Sequence, residues 1–354
     1  MVLTIVRDVS GLQCSLDMSI TEAVKVLERN HGGTVFCADA DGTLHGTLTD
    51  GDVRRYLIRG GALSSPVREA MNTRFLSCHE SDSAASALAV ITRHKITALP
   101  IVGLGGKLIG YYTAREAAGQ GLGELLASVV PVIMAGGKGT RLLPLTTNCP
   151  KPLLKIGGKP ILQIILEQIA AAGFSRAVIS VGYLANMIVD YFGSGGDVGL
   201  ELSYLYEDAP LGTAGVLSRL DRQHGLHYLV INGDVLSTLN LQSLIRFHVD
   251  NQADLTVASR LIETTIPYGV LLDTDGVVTA IREKPTVAHK ISAGVYVIDS
   301  QAMELIPPAS EYNMPDLIEA CLGSRRRVLN FPIHEQWIDI GLPHTLLEAN
   351  EQWK

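Results

Sequence analysis

The residues with the clearest chemical potential lie where an apolar strand, Val130 to Met134, runs into Ala135-Gly136-Gly137-Lys138-Gly139-Thr140-Arg141-Leu142. Glycines let backbone N–H groups approach phosphate oxygens, and an arginine supplies a fixed charge, so the turn suits a phosphorylated ligand. It is not the Gly-x-x-x-x-Gly-Lys-Ser/Thr loop. Nor does a helix open at the third glycine as a dinucleotide fingerprint requires, since Pro144, Pro150 and Pro152 predict extended chain. Pro150-Lys151-Pro152-Leu153-Leu154 follows, then Gly157-Gly158-Lys159-Pro160 opening a helix over 161–172. Farther along come Pro210-Leu211-Gly212-Thr213-Ala214-Gly215, Asn232-Gly233-Asp234, Tyr268-Gly269-Val270, Glu283-Lys284-Pro285, Ala293-Gly294-Val295-Tyr296 and Trp337-Ile338-Asp339-Ile340-Gly341. Singly these have bland readings: Asp234 and Asp339 as turn or cap aspartates, Arg141, Glu283 and Lys284 as solvated side chains.

Taken in order, residues 129 to 350 resemble the sugar-phosphate nucleotidyltransferases, whose signature is G-G-x-G-T-R-L followed by P-K-P-L. The reaction this implies drives a sugar 1-phosphate oxygen onto the α-phosphorus of a nucleoside triphosphate as pyrophosphate leaves. Cations must then offset the repulsion of two anionic groups. By resemblance Arg141 holds the pyrophosphate, Lys151 the α-phosphate region and Lys284 the sugar phosphate, while Asp234 and Asp339 bind Mg²⁺. Ala135, Gly136, Gly137, Gly139, Thr140, Gly212 and Thr213 fall on the nucleotide side; Gly269, Glu283, Ala293 and Gly294 fall on the sugar side, where Ser292 replaces the Asn common in relatives. Glu207 stands near the base-reading glutamine of thymidylyltransferases. A carboxylate there can accept from guanine's adjacent N1–H and N2–H, so GTP is the expected nucleotide.

To position these residues, apolar strands near 129–134, 177–181, 201–206, 228–232 and 254–260 alternate with helices near 160–172, 184–192, 214–220 and 241–250. The expected fold is α/β, Rossmann-like, with a mostly parallel, mixed central sheet and its ligand at the carboxyl ends of the strands. The catalytic domain is assigned to residues 127–354.

Residues 34 to 52 match 98 to 116 at a constant offset, pairing Gly42 with Gly106, Leu44 with Leu108, Gly46 with Gly110 and Thr49 with Thr113. Each copy reads as helix, strand, glycine turn, strand and a short helix after the threonine. The repeat, assigned to 1–126, resembles a cystathionine-β-synthase (CBS) domain pair. That resemblance implies an adenine or guanine nucleotide at Thr49 and Asp52, with Gly46 leaving room for the base. The second site, Thr113 and Glu116, departs from the family's Thr-x-x-Asp. The alternative is a dimerisation module, and a homo-oligomer is expected. Such a pair fused to this catalytic domain is similar to guanylyltransferases acting on glucosamine 1-phosphate in legionaminate-type pathways; mannose 1-phosphate is the alternative sugar.

The 354 residues carry a net charge of −7, 47% hydrophobic and 18% charged residues. That supports well-packed domains and excludes a general nucleic-acid partner. The basic run Arg325-Arg326-Arg327 reads as a helix end. Five cysteines without close sequence pairs predict neither disulfides nor zinc, and the ten histidines show no metal spacing. With no signal-like start and no long apolar run, a cytoplasmic protein without membrane contact is expected. A glycosyltransferase would carry Asp-x-Asp where this chain has Asn232-Gly233-Asp234. A silent binding protein would have lost one of Arg141, Lys151, Asp234, Lys284 or Asp339.

Overall fold

The strand Val129–Ala135, apolar at every position, must be covered on both faces, and it lies inside a seven-stranded sheet. The structure, a computed structural model, describes residues 2–29, 33–94, 96–115, 120–221 and 223–353. They form two units, Met1–Leu122 and Gly123–Lys354.

In the second unit the sheet strands are β1 (Val129–Ala135), β2 (Arg176–Val181), β3 (Glu201–Tyr206), β4 (His227–Asn232), β5 (Leu255–Thr265), β6 (Thr286–Asp299) and β7 (Val328–Ile333). Their spatial order is β3-β2-β1-β4-β6-β5-β7, with β6 alone antiparallel to its neighbours. The helix Ile161–Ala171 buries Ile161, Leu162, Ile165, Leu166 and Ile169, the period of a helix face laid on a sheet. Likewise Leu241–Asp250 buries Leu241, Leu244, Ile245 and His248. His248 is a core histidine, its Nδ1 2.8 Å from Thr256 Oγ1, and burial pushes its pKa down to about 3.

Several elements differ from expectation. The strand foreseen over 254–260 runs on to Thr265, because its far half pairs with Thr286–Ile291 in a ribbon leaving the sheet. A hairpin, Val270–Thr274 with Val277–Arg282, adjoins it. The helix expected over 214–220 is one turn, Gly212–Gly215, then a 3₁₀ turn Val216–Arg219, as a Gly-rich start favours. The prolines do not keep 144–154 extended throughout: Lys151–Leu153 is a 3₁₀ turn, which tolerates Pro152 in its first turn. The arginine run does follow a helix, Met314–Gly323, but Arg326 donates to Asp254 Oδ1 at 3.0 Å rather than standing free in water.

In the first unit the elements of the two copies begin in step: Ile20 and Ala84 open helices, Thr34 and Ala98 strands, Leu44 and Leu108 second strands. The glycine turns meet, with Thr43 bridged to Lys107 and the Leu108 N–H donating to Gly42 O at 3.0 Å. Leu12, Phe36, Leu44 and Leu108 form a buried layer. Of the short helix expected after Thr113, residues 116–119 lie outside the described residues; Thr113 to Arg115 are strand, and the next described helix is Gln120–Ala127. The strand Leu108–Arg115 continues past Thr113 because Val2–Val6 supplies a ladder partner, whereas Leu44–Thr49 has a single-residue bridge, Thr47 to Asn72, on that side. Among the described residues no helix is long and apolar enough to cross a membrane.

Candidate functional site

The carboxyl ends of the four parallel strands β1 to β4 converge on a cleft of about 760 Å³. From β1 come Ala135, Gly136, Gly137, Lys138, Gly139, Thr140 and Arg141; from beyond β2, Gly182 and Tyr183; from beyond β3, Glu207, Asp208, Gly212 and Thr213; from β4, Asn232, Gly233 and Asp234. Gly139 takes the left-handed conformation, φ 62°, and a Cβ there would lie 3.0 Å from Lys151 Cβ. Close approach of the turn to Lys151 thus requires glycine.

Lys151 and Asp234 form the electrostatic centre. Lys151 is only 8% exposed, and its Nζ lies 2.6 Å from Asp234 Oδ2. Asp339 reaches the same place through a two-stranded ladder, Val235–Ser237 against Trp337–Asp339, in which Val235 is opposite Asp339 and the Ile340 N–H donates to Asp234 O at 2.9 Å. Burial first, then the Asp234 carboxylate, raises the Asp339 pKa, while Lys151 and Arg141 pull it back. Asp339 Oδ1 and Asn232 Oδ1 are buried with no hydrogen-bond partner among the described residues. Two crowded carboxylates with an unsatisfied oxygen fit a hard divalent cation, which relieves their repulsion.

Glu207 lines the cleft with both oxygens engaged: Oε1 accepts from Ser180 Oγ, Oε2 from the Leu211 N–H at 3.2 Å. A side chain at Gly136 would collide with this carboxylate. Thr213 lines the cleft while its hydroxyl accepts from the Met314 N–H at 2.8 Å, and Gly212, at φ 74°, is packed against Tyr312 and Asn313. Ala293, Gly294 and Asp339 are not among the cleft-lining residues: Ala293 O accepts from Trp337 Nε1 at 2.9 Å, and a Cβ on Gly294 would lie 2.8 Å from Asn232 Nδ2. Gly269, Glu283 and Lys284 do not line the cleft. They sit together where the hairpin joins the ribbon, Gly269 beside the Glu283 carboxylate and Lys284 exposed. Lys138, Tyr183, Asp208 and Glu311 also line the cleft, beyond the residues assigned from the motifs. Lys138 lies inside the glycine motif and could have been found there; Glu311 arrives from a distant segment with no motif of its own.

In the first unit Thr49 caps the helix Asp50–Ile58 in a capping box with Asp52, whose Oδ2 accepts from the Thr49 N–H at 2.9 Å and the Thr49 hydroxyl at 2.6 Å. Asp52 Oδ1 pairs with Arg55. At Gly46, where room for a base is expected, a Cβ would lie 2.8 Å from Met71 Sδ and 3.1 Å from Asn72 O, so the side of the glycine that a Cβ would occupy is packed. Met71 and Asn72 return to this strand through the Thr47–Asn72 bridge, a packing that the repeat pattern does not encode. Thr113 lies within a strand, opposite Thr4, and Glu116 lies outside the described residues. Asp52→Ala, which removes the N3 half of the capping box, is therefore expected to cost up to about 1 kcal/mol of stability without any ligand. Denaturant unfolding of the full chain measures this; an unchanged midpoint would mean that the box contributes nothing.

The nucleotidyl transferase family model matches residues 130–354, and the CBS domain model matches 6–59 and 67–119. Over 227 residues the chain is 33% identical to mannose-1-phosphate guanylyltransferase of Mycobacterium tuberculosis, covering 62% of this chain and 63% of that protein. It is 29% identical over 234 residues to UTP–glucose-1-phosphate uridylyltransferase of Synechocystis sp., covering 59% of each. The chain thus spans about three fifths of the length of these curated relatives. Among solved structures, HddC from Yersinia pseudotuberculosis matches with TM-score 0.50 and 28% identity, covering 63% of this chain and 99% of that one; it has also been solved with GMP-PN. The fold is shared with a putative glucose-1-phosphate thymidylyltransferase from Bacillus anthracis, TM-score 0.51 at 22% identity, over 63% of this chain and 94% of that one. From the glycine turn to the Asp339 ladder, and by the family match over 130–354, this chain belongs to the nucleotidyl transferase family.

Proposed function

We propose that this protein joins a nucleoside triphosphate, GTP by preference, to a sugar 1-phosphate, releasing pyrophosphate. The carrying observation is that Arg141, Lys151 and Asp234 line the cleft at the glycine turn, with Asp339 close enough to interact with all three. In this reading the N–H groups of residues 136–140 and Arg141 receive the triphosphate, and Lys151 faces the α-phosphate. Lys284 brings the sugar phosphate, while Glu283, Gly269, Ala293 and Gly294 form the sugar side. The sugar phosphate oxygen forms a bond to the α-phosphorus as the α–β bridging bond breaks in line, and no covalent enzyme intermediate is required. Asp234 and Asp339 would hold Mg²⁺, which when bound supplies charge neutralisation at the phosphates.

The reading favours GTP on the Glu207 carboxylate of the cleft lining, which accepts one hydrogen bond on each oxygen, from Ser180 and Leu211, and keeps lone pairs for a two-donor edge. A guanylyltransferase stands among the relatives, beside a uridylyltransferase. Glucosamine 1-phosphate is the first sugar on the CBS fusion; mannose 1-phosphate is the second, from the Mycobacterium relative. Direct competition of GTP with dTTP and UTP tests the base. The wild-type protein should prefer GTP, and Glu207→Gln should narrow that preference by about 1 to 3 kcal/mol, the cost of a mismatched pairing. Equal use of the three by the wild type would remove the assignment.

A further inference from the structure

The Lys151–Asp234 pair poses a difficulty for cation binding. Asp234 Oδ2 is taken by Lys151 Nζ at 2.6 Å, whereas Asp339 Oδ1 is buried and has no hydrogen-bond partner among the described residues. One oxygen of the cleft-lining carboxylate is therefore occupied by an ammonium, while one oxygen of the buried carboxylate is left unmatched. Lys151 is also tightly placed: its 3₁₀ turn is fixed by Leu153 N–H to Pro150 O at 2.8 Å and Leu154 N–H to Lys151 O at 3.0 Å, and its Cβ abuts Gly139. Only the outer part of the side chain can leave Asp234. Counted as charges, Asp234 and Asp339 are balanced by Lys151 and Arg141, which both act on Asp339. A free divalent cation entering this balanced group would strand a nearly buried ammonium and leave an excess of positive charge, which is costly in a partly desolvated site. A triphosphate reverses that balance, giving Lys151 a new anionic partner.

We propose that Lys151 is a resident counter-ion that keeps Asp234 closed to divalent cations until a triphosphate draws its ammonium away. The pair then opens for the cation only when nucleotide is present. Lys151 acts here as a positioning residue on Asp234, and the inference rests on the assignment of Asp234 and Asp339 as cation ligands.

The test is titration of the nucleotide-free, full-length protein with Mn²⁺, following loss of the free-ion signal by electron paramagnetic resonance. Lys151→Met, which keeps the apolar stem and removes the ammonium, is expected to bind Mn²⁺ at least about tenfold more tightly than wild type. Lys151→Gln carries the same expectation should Lys151→Met fail to fold. Arg141→Met removes a charge from the same group without touching Asp234 Oδ2 and should gain much less. Adding Asp234→Asn to Lys151→Met should abolish the gain. Wild-type binding as tight as that of the Lys151 variants would overturn the proposal while leaving the cation site intact, as would an equal gain in Arg141→Met. A gain that survives Asp234→Asn would instead overturn the ligand assignment on which it rests.

Discussion

Asp234→Asn and Asp339→Asn are each expected to lower turnover by roughly a hundredfold or more at fixed Mg²⁺, comparable to removing one charge-stabilising group from a preorganised site. An amide offers the cation a dipole in place of a charge. The variants should differ in their side effects. Asp234→Asn leaves Lys151, 8% exposed, without its ion-pair partner and should also reduce stability. Asp339→Asn removes a carboxyl whose ionisation burial already opposes, so its activity loss should come with less loss of stability, or none. Steady-state rates beside denaturant unfolding separate the two effects. Near-normal turnover in both variants would remove the carboxylates from the chemistry.

Arg141→Ala should produce the second large effect, a loss of about a hundredfold or more that falls on triphosphate binding and pyrophosphate departure. Arg141 lines the cleft beside Gly341, with its guanidinium 3.5 Å from where a Cβ of Gly341 would stand. Lys284 does not line the cleft, so Lys284→Ala should leave triphosphate affinity near wild type and impair use of the sugar 1-phosphate. Calorimetry with each substrate alone measures the division. Equal defects toward both substrates in both variants would show that the two cations do not serve separate half-sites.

The glycine turn, the strand that feeds it and the helix Ile161–Ala171 were legible because their signals are local: apolar runs, glycines and prolines at short spacing. The internal repeat was legible because copies of one fold keep one spacing, visible in the paired starts at Leu44 and Leu108. Long-range partners were not. Only motif order placed Asp234 near Asp339; the Val235–Asp339 register and the Lys151 ion pair that explain their proximity join segments distant in sequence. Cys14 and Cys37 show no close sequence spacing, yet they are register partners on adjacent parallel strands, and burial raises both thiol pKa values. Strand β6 escaped notice because its first half pairs in an exposed ribbon and mixes His289 and Lys290 with apolar residues, hiding a two-residue period. Thr-x-x-Asp spacing alone does not distinguish a helix-capping box from a nucleotide contact; the hydrogen bonds of Thr49 and Asp52 supply the first.

Pyrophosphate release tests the proposed reaction most directly, measured with full-length protein and Mg²⁺ over a matrix of GTP, ATP, UTP and dTTP against glucosamine, mannose and glucose 1-phosphates. The expected result is release that requires both substrates, is greatest with GTP, and matches the nucleoside diphosphate sugar formed one for one. Release no faster than with triphosphate alone for every pair in the matrix would contradict it.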